Sequence, residues 1–219
     1  MNVIKVGGAA LKAGRELGEL AFEGERVVIV HGAGPQISLE MERARIPVEF
    51  VDGRRVTSPA GIQIVRTAYQ RVNATICEGI GDRAVGLMGD EIGLKAERVP
   101  ELGLVGTAVP SRPQAVLDAL EAGKIPVVAP LAEGPLNVNA DDMAAALALG
   151  LAADGLLFIT DVDGLLMDGE VVDEIGVDAA AELLTSGTLA GGIIPKLGAA
   201  VTAARGGVAA SIGQTAVVA

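Results

Sequence analysis

The opening run Val3-Ile4-Lys5-Val6-Gly7-Gly8 limits the fold most. Val3, Ile4 and Val6 favour an extended backbone, and two glycines end the run abruptly. That pattern predicts a buried central strand delivering its backbone into a tight loop. A lysine inside such a strand is costly unless an anion or carboxylate meets it. Glycines let bare N–H groups approach a ligand, and an oriented cluster of them favours anions. A cation and a glycine nest at the end of one strand therefore describe a phosphate site. The plainer alternative is an ordinary turn with Lys5 reaching out to solvent.

A second apolar strand, predicted at Arg26 to Val30, ends the same way in His31-Gly32-Ala33-Gly34-Pro35. Pro35 suits the first turn of a helix over about Gln36 to Ala44, so this glycine loop feeds a helix N-terminus. Two such loops at one edge of a parallel sheet converge on a shared crevice. Neither matches the dinucleotide fingerprint G-x-G-x-x-G or the Walker pattern ending GK[ST], which disfavours those sites.

Half of the 219 residues are hydrophobic but only 2% are aromatic, so the core must be built from Ala, Val, Leu and Ile. Valine-rich buried strands covered by alanine-rich helices are the natural outcome, an α/β fold. A net charge of −11 argues against nucleic acid or an anionic membrane as the main partner. The single cysteine, Cys77, excludes an internal disulfide, suits a reducing cytoplasm and reads as core filler. One histidine and no Cys/His cluster argue against zinc. No secretory leader is recognised, since Met1 leads straight into the first strand. The apolar stretch Met143 to Thr160 is broken by Asp154 and Gly155, which predicts a buried helix and strand and no membrane span.

The remaining pattern alternates. A helix is predicted over Ala9 to Phe22. A hairpin follows over Val48 to Thr57, with its turn at Asp52-Gly53 and with Arg54 and Arg55 on opposite faces, one toward solvent and the other toward the site. A long helix runs from Ala60 to about Gly79. A strand at Val85 to Met88, a β-rich excursion over Glu91 to Val109, a helix over Pro113 to Ala122 and a strand at Ile125 to Pro130 come next. Then come an extended Leu136 to Asp141, a helix to Leu151, a strand over Leu156 to Thr160 and a hairpin through Asp168-Gly169. The chain ends with a helix over Asp178 to Ser186, a glycine-proline loop Leu189 to Lys196, a helix to Arg205 and two closing strands within Val208 to Val218. This alternation implies a mostly parallel sheet with helices on both faces and right-handed crossovers.

The ordered set Lys5-Val6-Gly7-Gly8, His31-Gly32-Ala33-Gly34, Gly53-Arg54-Arg55-Val56-Thr57, Asn137-Val138-Asn139-Ala140-Asp141, Thr160-Asp161-Val162-Asp163-Gly164 and Gly191-Gly192-Ile193-Ile194-Pro195-Lys196 resembles the amino acid kinase family. Within it, the resemblance is greatest to members that phosphorylate N-acetyl-L-glutamate in arginine biosynthesis. It covers almost the whole chain. It implies a three-layer αβα sandwich of the carbamate kinase-like type around a mostly parallel sheet. The acceptor would be bound by an N-terminal lobe, about 1–132, and the nucleotide by a C-terminal lobe, about 133–219, in one domain. The implied reaction is transfer of the γ-phosphoryl group of MgATP to the acceptor's side-chain carboxylate, with Mg²⁺ carried on the nucleotide phosphates and no protein metal site.

The resemblance also implies roles. Lys5 and Lys196 would stabilise the transferring group, Asp141 would orient them, and backbone N–H groups of Gly8 and Gly34 would face developing charge, as in an oxyanion hole. Asp141 can equally be a helix N-cap. Arg55 would hold the acceptor's α-carboxylate, aided by Asn137 and the Ala33-Gly34 backbone. Asp161, Val162, Asp163, Gly164, Leu165 and Leu166, with Thr188, Leu189 and Ala190, would touch the nucleotide, although Asp163 can equally be a solvated turn residue. His31 reads as a structural loop residue, since an ionised acceptor needs no general base.

Some features depart from the family pattern. Ala33 stands where glycine is frequent, and the closing stretch Ser211 to Ala219 leaves no helix between the last two strands. The absence of an N-terminal extension predicts a dimer without arginine feedback. That dimer would use the stripe Ile62, Val65, Val72 and Ile76, with Tyr69 and Met41 as its candidate neighbours, which could equally be core. The competing readings are a kinase for a related acceptor, such as carrier-linked aminoadipate in lysine biosynthesis, and a non-catalytic nucleotide-binding module.

Overall fold

The computed structural model describes residues 1–7, 26–159, 163–167 and 169–219. The expected helix at 9–22 and the calls on Gly8, Asp161, Val162 and Asp168 lie outside them. The main sheet is eight-stranded and grows outward from two strands, β1 (Asn2–Val6) and β2 (Val27–His31), which pair in parallel. Beyond β2 come β8 (Ile125–Ala129) and β5 (Ala84–Met88). Beyond β1 come β11 (Gly155–Ile159), β15 (Ala209–Ile212), β16 (Thr215–Val218) and β14 (Glu174–Gly176). Only the β15–β16 pair is antiparallel. The short edge strand β14 was not legible in the sequence. It pairs beside β16 over three residues, too few to show a periodic pattern.

Side-chain alternation divides the sheet into two apolar layers. Ile4, Val6, Val27, Ile29 and Val127 face one layer with α1 (Gly34–Arg43) and α2 (Pro59–Ile80). Val3, Val28, Val30, Leu156 and Phe158 face the other, with α3 (Gln114–Glu121), α4 (Ala140–Leu151) and α6 (Ile193–Arg205). A further helix, α5 (Val177–Thr185), packs on α6. The scarcity of aromatics is explained here. α4 and α6 pack together, and Ala144, Ala145 and Ala148 of α4 share a core with Ala199, Ala200, Ala203 and Ala204 of α6, small side chains that let the two helices lie close together. The same alternation places Lys5 on the α4 side and His31 on the α2 side.

Ser58 caps α2, its hydroxyl accepting from Gly61 N–H at 3.0 Å, as Ser58-Pro59 predicts. The stripe Ile62, Val65, Tyr69, Val72 and Ile76 lies in the core against the sheet, none of it more than 5% exposed. It is internal packing and offers no surface to a second copy.

A second, four-stranded sheet sits beside the first, in the order β6 (Lys95–Arg98), β7 (Val105–Val109), β10 (Leu136–Val138), β9 (Leu131–Ala132). The hairpin β3 (Phe50–Val51) and β4 (Arg54–Arg55) turns at Asp52 and Gly53, both with positive φ, the primed turn that Asp-Gly favours. Its outgoing end is tied to the second sheet by two bonds, Thr57 N–H to Leu102 C=O at 3.0 Å and Leu104 N–H to Thr57 C=O at 2.8 Å. Gly103 makes this approach possible: its φ is +87°, and a Cβ there would lie 2.5 Å from the Thr57 oxygen. A small hairpin pairs β12 (Leu166–Met167) with β13 (Glu170–Val171). Among the described residues no helix is long and apolar enough to cross a membrane.

His31 carries a consequence for stability. It is fully buried, with Nε2 facing the amide Nδ2 of Asn73 at 3.1 Å, and that amide also donates to Val127 C=O at 2.8 Å. Burial holds the imidazole down at about 4 from its ordinary 6.5, opposed by the Gly32 carbonyl. The unfolded chain takes up a proton that the folded chain refuses. The stability this site contributes is therefore whole above pH 6.5 and is lost as pH falls toward 4, by about 3 kcal/mol in all. Urea unfolding of the wild type and His31→Gln at pH 7.5 and pH 4.5 checks this. The wild type should lose about 2–3 kcal/mol more than the variant on acidification, and equal losses would contradict it.

Candidate functional site

The C-terminal ends of β1 and β2, the start of α1, the β3–β4 hairpin, β10, the first turn of α4 and the start of α6 enclose a cavity of about 470 Å³. Lys5, Ala33, Gly34, Arg55, Asn137, Asp141 and Lys196 all line it. Seven positions spread over almost the whole chain thus meet in one place.

Within the cavity lining stands a carboxylate between two ammonium groups. Lys5 Nζ lies 2.8 Å from Asp141 Oδ1, and Lys196 Nζ lies 3.9 Å from Asp141 Oδ2. Lys5 and Asp141 are each only 5% exposed. Removing two such charges from water costs several kcal/mol apiece, so each needs the other. Lys196 also donates to Gly192 C=O at 3.1 Å, which draws the side chain back along its own helix. The three groups together carry one net positive charge.

Asn139, not Asp141, caps α4. Its Oδ1 accepts from Asp141 N–H at 2.8 Å and from Asp142 N–H at 3.2 Å. Asp141 is left to project from the first turn toward the lysines, while its charge still suits the helix N-terminus. α6 begins at Ile193, so Lys196 lies within its first turn, at a helix start as the sequence suggested, though the helix begins earlier than the loop Leu189 to Lys196 allowed.

Arg55, also in the lining, is 6% exposed and donates to Gly34 C=O at 3.0 Å and Ser38 Oγ at 2.8 Å. Its Cζ sits 4.5 Å from the centre of the Phe50 ring, because Phe50 and Arg55 are directly paired across the hairpin. Burial lowers its pKa from the ordinary arginine value, with the Tyr69 hydroxyl opposing. Asn137 is buried in the same lining, donating to Thr57 Oγ1 at 3.1 Å, while Thr57 donates to Arg55 C=O at 2.8 Å. Burial pushes the Tyr69 phenol well above its ordinary value, so it stays neutral beside Asn137. Ala33 keeps a negative φ of −144° at the N-cap of α1 and supplies no side-chain acceptor. The first-turn N–H groups of α1 therefore meet no capping side chain, and a Cβ at Gly34 would touch nothing within 4 Å.

Several of these residues were not singled out from the sequence. Ser38 carries no motif and is defined only by packing, Thr57 stood in the Gly53-Arg54-Arg55-Val56-Thr57 motif and Tyr69 beside the helix stripe without a site role, whereas Asn139 immediately before Ala-Asp-Asp was a readable cap signal. Arg54 does not run free into solvent: it lies 3.6 Å from Asp142. The cavity does not include the described nucleotide candidates. Asp163 is exposed, its carbonyl accepting from Gln214 N–H at 2.7 Å, and Leu165 is buried with its N–H donating to Thr215 Oγ1 at 2.8 Å. Gly164 is buried and Leu166 exposed, while Thr188, Leu189 and Ala190 lie between α5 and α6.

A model of the amino acid kinase family matches residues 1–213. The acetylglutamate kinase of a Nocardioides species is 42% identical, over 94% of this chain and 74% of that protein. That of Rubrobacter xylanophilus is 41% identical over 96% of this chain and 87% of its own length. The crystal structure of smu.665 from Streptococcus mutans UA159 superposes with a TM-score of 0.89 at 30% identity, covering 99% of this chain and 98% of that one. Carbamate kinase from Giardia lamblia, at 16% identity and a TM-score of 0.70, shares the fold. The model spans nearly the whole chain and the relatives match along most of their own length: this chain is a kinase of the amino acid kinase family, in its acetylglutamate kinase branch.

Proposed function

We propose that this kinase transfers the γ-phosphoryl group of MgATP to the side-chain carboxylate of N-acetyl-L-glutamate, a step toward arginine. One observation carries the reading: a two-lysine, one-aspartate cluster and a buried arginine line one cavity. A dicarboxylate acceptor needs two anion sites of different kinds, one that binds and one that reacts. Arg55 takes the α-carboxylate through its planar fork, exchanging Ser38 and Gly34 for the ligand. Asn137, held by Thr57, meets the acceptor between the two ends.

At the reacting end an oxygen of the acceptor carboxylate attacks the γ-phosphorus, and the bond to the ADP oxygen breaks. The acceptor is already ionised at neutral pH, so no proton is moved. What the protein must supply is alignment and positive charge on both sides of the transferring group. Lys5 arrives from β1 and Lys196 from α6, with Asp141 fixing both. The Gly34 N–H, and that of Gly8, add donors toward the developing charge. The nucleotide is assigned to the C-terminal lobe, about 133–219, through Asp161 to Leu166 and Thr188 to Ala190, and the acceptor to the lobe about 1–132. Asp141 and Asp142 are each already paired with a cation, which suits Mg²⁺ carried in on the phosphates. The net charge of −11 gives no attraction for nucleic acid or an anionic membrane, in keeping with small-molecule substrates. The reading includes a cytoplasmic homodimer. Exposed Leu39, Phe50 and Val51 offer apolar surface for it where the α2 stripe does not. Light scattering should give the mass of two chains, and the mass of one chain would remove the dimer.

ADP release with MgATP and N-acetyl-L-glutamate, glutamate, aspartate or α-aminoadipate tests the substrate assignment. The first should be preferred, and preference for another would overturn it. Lys196→Ala should lower kcat by about 10²–10³ with little change in acceptor KM. Lys5→Ala should do the same, but it also strips Asp141 of its nearest counter-ion, so its folding must be checked by circular dichroism. Turnover near the wild-type rate in folded Lys196→Ala would refute the clamp. Arg55→Ala should instead raise acceptor KM about ten- to a hundred-fold with kcat largely kept, the loss of a charge-assisted bond to a non-reacting group. An unchanged KM would remove Arg55 from the acceptor site.

A further inference from the structure

The first turn of α4 does more than present Asp141. Successive helical residues project about 100° apart, so Asp141 and Asp142 serve different neighbours. Asp141 faces the lysines. Asp142 faces the β3–β4 hairpin, its Oδ2 lying 3.6 Å from the Arg54 guanidinium, with the two side chains 31% and 29% exposed. A second tie joins the same elements: the Asn139 amide donates from Nδ2 to Gly53 C=O at 3.4 Å while its oxygen caps the helix. Both ties fall on the hairpin tip, immediately before Arg55. Burial and the neighbouring Asp141 raise the Asp142 carboxyl, and Arg54 opposes them, so this carboxylate depends on its cation.

We propose that Arg54 and Asp142 are a positioning pair that sets the hairpin, and with it Arg55, at a fixed distance from Asp141 and the two lysines. The account of what lies between them rests on the reading under Proposed function. The acceptor's bound and reacting carboxylates belong to one small molecule, so the two anion sites must keep a constant spacing. One helical turn holding both ends enforces it.

The test uses Arg54→Met, Asp142→Asn, their double variant and Arg54→Lys. It has two readouts: amide hydrogen exchange across residues 50–57 without ligands, and acceptor KM against kcat. Each single variant should speed exchange in the hairpin and raise acceptor KM about two- to five-fold, with ATP KM unmoved. The double variant should be no worse than the worse single one, and Arg54→Lys should behave nearly as wild type. Additive effects would overturn the pairing. So would a raised KM in Arg54→Met with both readouts unchanged in Asp142→Asn, the outcome for an arginine that touches the acceptor directly. If the wild type fails to phosphorylate N-acetyl-L-glutamate, the functional reading falls while hairpin exchange still decides the pair.

Discussion

The Lys5–Asp141 ion pair is the interaction on which the rest of the structure depends. A central strand flanked on both sides, with every neighbour apolar, is a poor place for an ammonium group, and Lys5 is 5% exposed there. Only a counter-ion brought to it can make the position tolerable. The chain reaches 136 residues ahead for that carboxylate, and the cap at Asn139 points α4 so that Asp141 arrives at 2.8 Å. Once α4 is fixed, α6 packs against it through a seam of alanines and brings Lys196 to the same carboxylate. Two cations this near one another would repel without Asp141 between them. With it, they leave a single positive charge facing a cavity, a suitable state for receiving a phosphoryl group.

The Arg55 side of the cavity follows a different logic. Arg55 is buried on a two-residue strand, which by itself is too short to hold anything. It is held by what surrounds it: Phe50 across the hairpin, Ser38 and the Gly34 carbonyl from α1, and Thr57 tied to the second sheet. A short hairpin supported from three sides places a charge firmly in the cavity lining. Arg54 and Asp142 then connect this side to α4.

Much of this was legible in the sequence, for physical reasons that also mark where legibility ends. Strands β1, β2, β8 and β11 are short apolar runs bounded by glycine, proline or polar residues, a strong pattern for buried parallel strands. Lys5 stood out because it violated its own pattern. Asp52-Gly53 and Ser58-Pro59 announced a turn and a helix start through local chemistry, and both formed. The ion pairs could not be read without tertiary placement. The sequence shows Arg54 and Arg55 on opposite faces but not that α4 waits opposite Arg54. The α2 stripe stayed open between core and interface for the same reason, since an apolar helical face looks alike whether it meets a sheet or a second copy. Asn139 was missed although its cap signal was local, because the aspartate beside it drew the stronger reading.

The central claim is that the lysine-aspartate cluster makes an acyl phosphate on the acceptor. Hydroxylamine trapping tests it most directly, since the nucleophile converts an acyl phosphate to a hydroxamate with release of phosphate. The protein incubated with MgATP, N-acetyl-L-glutamate and hydroxylamine should form the acceptor hydroxamate in step with ADP, and Asp141→Ala should abolish both. ADP formed in the presence of the acceptor without hydroxamate, or hydroxamate formed undiminished by folded Asp141→Ala, would contradict the account.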